Sequence, residues 1–436
     1  MMKTNRLCSM LVLTVGLLAG GYSIFLPLSI GSAQTRPQAN QAGDPVARLQ
    51  QRIDRGEVRL EYAVPGGWLQ SVLKNLRVPV SSQGLVFSKT SLQSNHISPA
   101  NPRAIYFNDE VYVGWIRGAE LLEVSAVDPD LGGIFYTLEQ RPGDQPKFVR
   151  NESCMRCHGT GNTRFIPGHL MRSVYAGTDG FINPETNSFV TDHASPFSDR
   201  FGGWYVTGQR GPLQHLGNTF FSGEISAGQF TGNLTSLAQK ADLSGYASPH
   251  SDIVALMTLA HQTQMQNTLV WLGYETRMAL HEQADLDKKA GRNTGELAVS
   301  VRRRIEYAVN ETLKYLLFAD EAGLPAAVAG TSDFAQEFAS AGPFDKQGRS
   351  LRQFDLSRRL FRYPCSYLIY SEAFDRVPQP ALDDLYRRLW LVLTNQTQAK
   401  EFAALSEADR RAILEILLAT KKNLPAYFRA QISAGS

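Results

Sequence analysis

Residues 103–138 read RAIYFNDEVYVGWIRGAELLEVSAVDPDLGGIFYTL, and this stretch decides the fold of the first part of the chain. It contains four short runs of β-branched and aromatic residues at 103–107, 111–116, 121–127 and 134–138. Asn108-Asp109, Asp128-Pro129 and Gly132-Gly133 interrupt the runs with residues typical of turns. The pattern predicts a small antiparallel sheet within a β-rich domain at 45–150.

The residue pattern of the rest of the chain changes at two points, near residues 151 and 248. Residues 151–247 are rich in Gly, Pro, Ser and Asn, and only 203–207 has the pattern of a strand. From 248 to 436 the pattern is helical: Ser251 and Asp252 can cap a helix that runs to about His281. Apolar residues at three-to-four spacing predict further helices at 297–319, 379–394 and 406–420. The sequence therefore predicts an α+β protein with a β-rich domain, an irregular segment and a helical domain.

The irregular segment begins with the strongest motif in the chain, Cys154-Met155-Arg156-Cys157-His158. CxxCH is the attachment motif of c-type haem, in which the two thiols form thioethers and the histidine binds the iron. We expect one haem c per chain, bound by Cys154 and Cys157, with His158 as axial ligand. A segment of about 100 residues with few regular elements is unusual in a packed domain, and wrapping a cofactor would explain it.

Two other uses of a CxxC pair agree less well with the chain. A structural zinc site needs four ligands, and the sequence has no second CxxC. A thioredoxin-like redox pair is expected between a strand and an amphipathic helix, which this segment lacks. The motif therefore favours haem over both alternatives.

The first 33 residues resemble an export signal. Lys3 and Arg6 precede an apolar stretch, and Gly31-Ser32-Ala33 resembles a cleavage site. Residues 34–44 then read as a short polar linker. We expect a periplasmic or otherwise exported protein, which agrees with haem attachment outside the cytoplasm. The alternative is that residues 10–30 remain as an uncleaved membrane anchor.

Charge and cysteine content narrow the function classes. The 436 residues carry a formal net charge of +3, which becomes +1 without residues 1–33. Such a balance argues against nucleic acid as a partner, because nucleic-acid binding favours a basic surface. Cys8 belongs to the signal and Cys365 lies in an apolar, aromatic run, so we expect Cys365 to be a buried free thiol.

The second axial ligand is less well defined by the sequence. His169 is the preferred candidate, because it follows the motif through a flexible stretch containing Gly159, Gly161, Pro167 and Gly168. The rival candidates are Met171, His193, His215, and the helical column Met257, His261 and Met265. Four arginines near the motif can pair with haem propionates, because a guanidinium suits carboxylates: Arg150, Arg156, Arg164 and Arg172.

The chain resembles exported bacterial proteins described as containing a cytochrome c domain. Besides the motif, the resemblance rests on four strings: VFSKTS at 86–91, PGHL at 167–170, FGGWYVTG at 201–208 and YPCSYLIYS at 363–371. It implies haem binding by Cys154, Cys157 and His158, and electron transfer to a redox partner protein that the sequence does not identify.

Three functions follow from these features. We expect an electron carrier more than a catalyst. The alternative is a haem-based redox or gas sensor, and the second alternative is a peroxidase-like enzyme.

Overall fold

The computed structural model describes residues 43–430, except 144, 187, 210, 222–232, 239, 292–294 and 398. The described residues belong to one compact unit, which contains all three of the predicted segments. The expected export signal lies outside the described residues, as does most of the linker. A search of the described helices found none long and apolar enough to cross a membrane.

A seven-stranded antiparallel sheet forms the first half of the unit. Its strands are β1 (Gly84–Val86), β2 (Arg103–Phe107), β3 (Val111–Trp115), β4 (Leu121–Asp128), β5 (Gly132–Glu139), β6 (Val149–Arg150) and β9 (Trp204–Tyr205). Their spatial order is β6-β5-β4-β3-β2-β1-β9, so successive strands are neighbours from β1 to β6. The four strands predicted from residues 103–138 are confirmed.

Two rows of side chains cross one face of the sheet. Pairing aligns Ile105, Gly114, Glu123 and Thr137 in one row, and Phe107, Tyr112, Ser125 and Phe135 in the other. Because side chains alternate between the faces of a strand, residues such as Tyr106, Val113 and Val124 point to the opposite face. The two faces of the sheet therefore carry different sets of side chains.

The opposite face packs against two helices that the sequence analysis missed, α1 (Pro45–Asp54) and α2 (Leu69–Asn75). The side chain of Asp44 begins α1 by accepting hydrogen bonds from the backbone N–H groups of Val46 and Ala47. Asp44 also accepts a hydrogen bond from the Tyr136 hydroxyl in the sheet, at 2.8 Å. The amphipathic pattern of α1 covers only ten residues, too few to stand out in a β-rich region.

The segment from 151 to 247 contains only short regular elements among its described residues. These are α3 (Met155–His158), β7 (Arg172–Ser173), β8 (Phe189–Val190) and β9, with a few single 3-10 turns. β7 and β8 form a separate pair of strands. The predicted strand at 203–207 is present but has only two residues.

Helices form the second half of the unit. They are α4 (Ile253–Ala290), α5 (Val299–Leu316), α6 (Phe334–Ser340), α7 (Glu372–Asp375), α8 (Gln379–Leu393), α9 (Glu407–Thr420) and α10 (Tyr427–Ala430). The predicted cap of α4 is confirmed, because the Asp252 side chain accepts from the N–H groups of Val254 and Ala255. The predictions for α5, α8 and α9 are confirmed to within three residues at each end, whereas the short α6 was missed.

The N-terminal half of α4 lies between the sheet and the other helices. All but one of its residues from Ile253 to Val270 are buried, and several pack with Phe107 and Tyr112 of the sheet. The Tyr112 hydroxyl donates a hydrogen bond to the side chain of Gln266 on α4. The mixed α+β class is thus established, and α4 covers part of the sheet face that carries the two rows.

Candidate functional site

The CxxCH motif spans the end of a 3-10 turn, where Cys154 lies, and the short helix α3 that follows the edge strand β6. Asn151 caps the turn that precedes α3 by accepting the backbone N–H of Ser153 at 3.0 Å. Cys154 is half-buried, Cys157 is exposed and both are free thiols. Burial raises the pKa of the Cys154 thiol, and the negative charge of Glu123 raises it further. Two thiols on one turn, one of them exposed, are available for attachment of a ligand.

The imidazole of His158 is held in one orientation by the chain that follows it. Its Nδ1 lies 2.8 Å from the backbone carbonyl oxygen of Gly168, and the Gly168 N–H donates back to the His158 carbonyl at 2.9 Å. A carbonyl oxygen can only accept, so Nδ1 carries the proton and Nε2 keeps its lone pair. Burial lowers the pKa of His158, which favours this neutral form.

Next to the motif lies a cavity of about 660 Å³. The sheet provides one wall through the two rows of side chains, except Phe107. Helix α4 provides Leu259 and Thr263, and the motif provides Cys154, Cys157 and His158. Val86 of β1 and Trp204 of β9 also line the cavity, as do Leu170 and Ile182 from the loops. Cavities of this size with mostly apolar walls and a few polar groups are typical sites for cofactors.

The cavity carries more basic than acidic side chains. Lys89, Arg103, Arg156 and Arg172 line it, whereas Glu123 is the one carboxylate among the described lining residues. Of the four arginines that we expected to pair with propionates, Arg156 and Arg172 line this cavity, and their pairing stays a prediction. The other two do not line the cavity: Arg150 pairs with Glu152 at 3.0 Å, and Arg164 lies 4.3 Å above the ring of Trp271.

Arg103 lines the cavity and was missed by the sequence analysis. It begins β2, more than 50 residues before the motif, and forms an ion pair with Glu123 at 2.5 Å. The sequence analysis considered only arginines near the motif in the chain. Arg103 reaches the cavity because β2 pairs with the other strands of the sheet. The only sequence signal is an arginine at the start of a run that is otherwise apolar.

His169 lines the same cavity as the motif. Its ring centre lies 6.5 Å from that of His158, and its Nε2 lies 3.0 Å from the Ser125 hydroxyl. Its ring stacks on Tyr112, with 4.3 Å between the ring centres. Burial lowers the pKa of His169 to about 3, so the imidazole is neutral. Its role as an iron ligand stays a prediction, and that role requires Nε2 to leave Ser125.

The rival candidates do not line the cavity. His193 and His261 contact each other in the helical interior, and Met171, Met257 and Met265 are buried in the same core cluster. His215 is buried beside Phe197 and Phe201, and its Nδ1 accepts the backbone N–H of Gly217. The structure thus brings together Cys154, Cys157, His158 and His169, and places the others elsewhere.

The site agrees with a haem in the size of the cavity, in its cationic lining and in the lone pair of His158 Nε2. Within the described ranges, no group of three or more His, Cys, Asp or Glu side chains is arranged to hold a metal ion. A c-type haem does not depend on such a group, because the porphyrin supplies four of the iron ligands. Comparisons of the chain with models of protein families, with curated proteins and with solved structures found no match.

Proposed function

We propose that this chain is an exported electron-transfer protein with one covalently attached haem c. Cys154 and Cys157 would form the two thioethers, by addition of each S–H across a vinyl group, and Nε2 of His158 would bind the iron. The observation that carries the proposal is the hydrogen bond between His158 Nδ1 and the Gly168 carbonyl. Histidines that bind metals usually donate their other ring N–H to a backbone carbonyl or a carboxylate, which fixes the tautomer and the ring orientation.

The position of the motif supports electron transfer. A bound haem supplies a one-electron iron couple whose potential depends on its axial ligands and on its surroundings. Cys157 is exposed at the rim of the cavity, so the attached edge of the ring would lie near solvent. The cavity walls, including Tyr112, Phe135 and Leu259, would exclude water from the rest of the ring. One edge at the surface and the remainder covered is an arrangement suited to exchange of electrons with a docked partner.

One observation favours a second candidate, a haem-based sensor. The described lining of the cavity contains no methionine, and Nε2 of the lining histidine His169 already contacts Ser125. An iron bound on one side by His158 alone would accept a small external ligand on its other side. The two candidates therefore differ in whether His169 exchanges Ser125 for the iron.

The proposal is tested by producing the full chain in the periplasm together with a c-type haem maturation system. Haem should stay on the polypeptide after acid-acetone extraction, and the mass should exceed that of the processed chain by one haem. Cys154→Ser with Cys157→Ser should abolish attachment, whereas Cys365→Ser, which changes a buried cysteine outside the motif, should not. A colourless wild-type chain from cells that load a control cytochrome would contradict the proposal.

Carbon monoxide then separates the two candidates. A reduced spectrum that the gas does not change supports electron transfer with two protein ligands. A high-spin spectrum that shifts with the gas supports the sensor.

A further inference from the structure

The cavity contains a fixed cation that crosses the sheet. Arg103 extends over Gly114 on the neighbouring strand and reaches Glu123 on β4. A Cβ atom at position 114 would lie 2.6 Å from Nη2 of Arg103 and 2.8 Å from its Nε. Real Cβ contacts are essentially never shorter than 3.0 Å, so this path depends on a residue without a side chain at position 114.

Glu123 is itself held by two other side chains. One of its carboxylate oxygens accepts hydrogen bonds from the Ser91 hydroxyl at 2.6 Å and from the Gln93 side-chain amide at 3.2 Å, and the other pairs with Arg103. The Arg103 and Glu123 side chains are 20% and 16% exposed. The carboxylate therefore neutralises the guanidinium and limits its movement, so that Arg103 is oriented before any ligand is present.

The guanidinium has more donors than partners. It carries five N–H groups, and its ion pair with Glu123 uses only part of that capacity. Its Nε is buried and has no hydrogen-bond partner in the structure. A buried polar atom without a partner is unusual in a folded protein, so the side chain has hydrogen-bonding capacity that the protein itself does not use. A carboxylate suits the remaining donors, because planar N–H pairs match its two oxygens.

We propose that Arg103, oriented by Glu123, is a carboxylate-binding residue of the cavity. The carboxylate could come from two sources, a propionate of the attached haem or a small free carboxylic acid. The first source rests on the proposed function, and the second does not. Lys89 also lines the cavity but already has other partners. Its Nζ lies 4.8 Å above the ring of Phe181 and donates to the Ser94 carbonyl.

The first experiment measures the reduction potential of the holoprotein between pH 5 and 9. Arg103→Gln should lower the potential, because loss of a nearby cation disfavours the reduced, more negative state. The pH-dependent part of the curve should also move to higher pH, because a propionate without its cation is harder to ionise. Arg103→Lys keeps the charge and should give an intermediate curve. Arg117→Gln is the matched control, since Arg117 also forms an ion pair, with Asp242, but does not line the cavity.

The second experiment titrates the wild-type chain and the same variants with succinate, by calorimetry. If the site takes a free carboxylate, the wild type should bind succinate, and Arg103→Gln should weaken binding roughly tenfold or more. Arg103→Lys should also bind less well, because an ammonium lacks the planar fork. Arg117→Gln should bind as the wild type does.

The two experiments decide between the sources and test the site itself. A changed potential curve without succinate binding identifies a propionate, and succinate binding with an unchanged curve identifies a free acid. If Arg103→Gln and Arg103→Lys leave the potential curve unchanged and no variant binds succinate, the proposal is wrong. A chain that never receives haem contradicts the proposed function alone, and the titration of that chain with succinate still decides whether Arg103 binds a carboxylate.

Discussion

His193 and His261 meet through their Nδ1 atoms, 2.8 Å apart, in the interior of the helical half. One Nδ1 must donate and the other must accept, so the contact requires that the two atoms share one proton. Nε2 of His261 lies 2.8 Å from the Ser366 hydroxyl, and Tyr315 and Phe318 stack on both rings. The pair lies outside the cavity and is neutral, because burial lowers the pKa of both histidines.

This pair predicts a loss of stability in acid. The pKa of His261 is about 3 in the folded chain and about 6.5 when unfolded, so below pH 6.5 the unfolded chain binds more protons. The free energy of unfolding should therefore fall as the pH falls, by roughly 2 kcal/mol from His261 alone between pH 6.5 and 4.5. Urea unfolding of wild type and His261→Gln across that range measures the effect, and the variant should show a shallower slope.

His281→Gln is the control for this experiment, because His281 is exposed near the C-terminal end of the same helix. It should keep the slope of the wild type. Equal slopes for His261→Gln and the wild type would show that the buried pair does not carry the acid sensitivity.

A second prediction concerns the sixth ligand of the iron. If His169 takes that position, His169→Ala should convert a low-spin haem to high-spin and open the iron to carbon monoxide, while the covalent attachment survives. Ser125→Ala removes the partner of His169 Nε2 and should leave the spectrum low-spin. Absorption spectra with and without the gas are the measurement. A low-spin spectrum that survives His169→Ala would exclude this histidine.

A third prediction follows from the shortage of regular elements in 151–247. A cofactor that binds only the folded state stabilises that state, so the haem-free double variant Cys154→Ser with Cys157→Ser should be less stable than the holoprotein. Limited proteolysis with mass spectrometry should find the new cleavage sites mainly in this segment. Identical digestion patterns of the two forms would instead indicate a haem that lies on the surface.

A fourth prediction concerns the carboxylate of Asp252, which is fully buried and joins two parts of the helical half. It caps α4 and also accepts hydrogen bonds from the backbone N–H groups of Thr331 and Ser332, at 2.7 and 2.8 Å. Asp252→Ala would leave several buried or half-buried donors without partners, so we expect it to lower the free energy of unfolding by roughly 3–5 kcal/mol. Urea unfolding is the measurement.

The control for Asp252 is Ser406→Ala, which removes the exposed capping box of α9. It should cost about 1 kcal/mol. Similar losses for the two variants would mean that the links from Asp252 to residues 331 and 332 add little.

The elements that depend on neighbours along the chain could be predicted from the sequence. The β-branched and aromatic runs of 103–138 gave the central strands, and Asp252 marked the start of α4, because alternation and capping are local. The CxxCH motif is local in the same sense, since its two thiols and its imidazole lie within five residues. Short elements such as α1, α2 and α6 were missed because their apolar patterns cover too few residues to be distinguished from the patterns of the neighbouring segments.

The sequence by itself determined the class of the fold, its longer helices and strands, and the three residues of the motif. Only the tertiary structure decided what surrounds the motif: the Gly168 carbonyl behind His158, Ser125 beside His169, and Arg103 beside Glu123. It also placed His193 and His261 with each other instead of with the motif. The physical reason is that strand pairing and helix packing join residues far apart in the chain, and no local pattern records which side chains they will bring together.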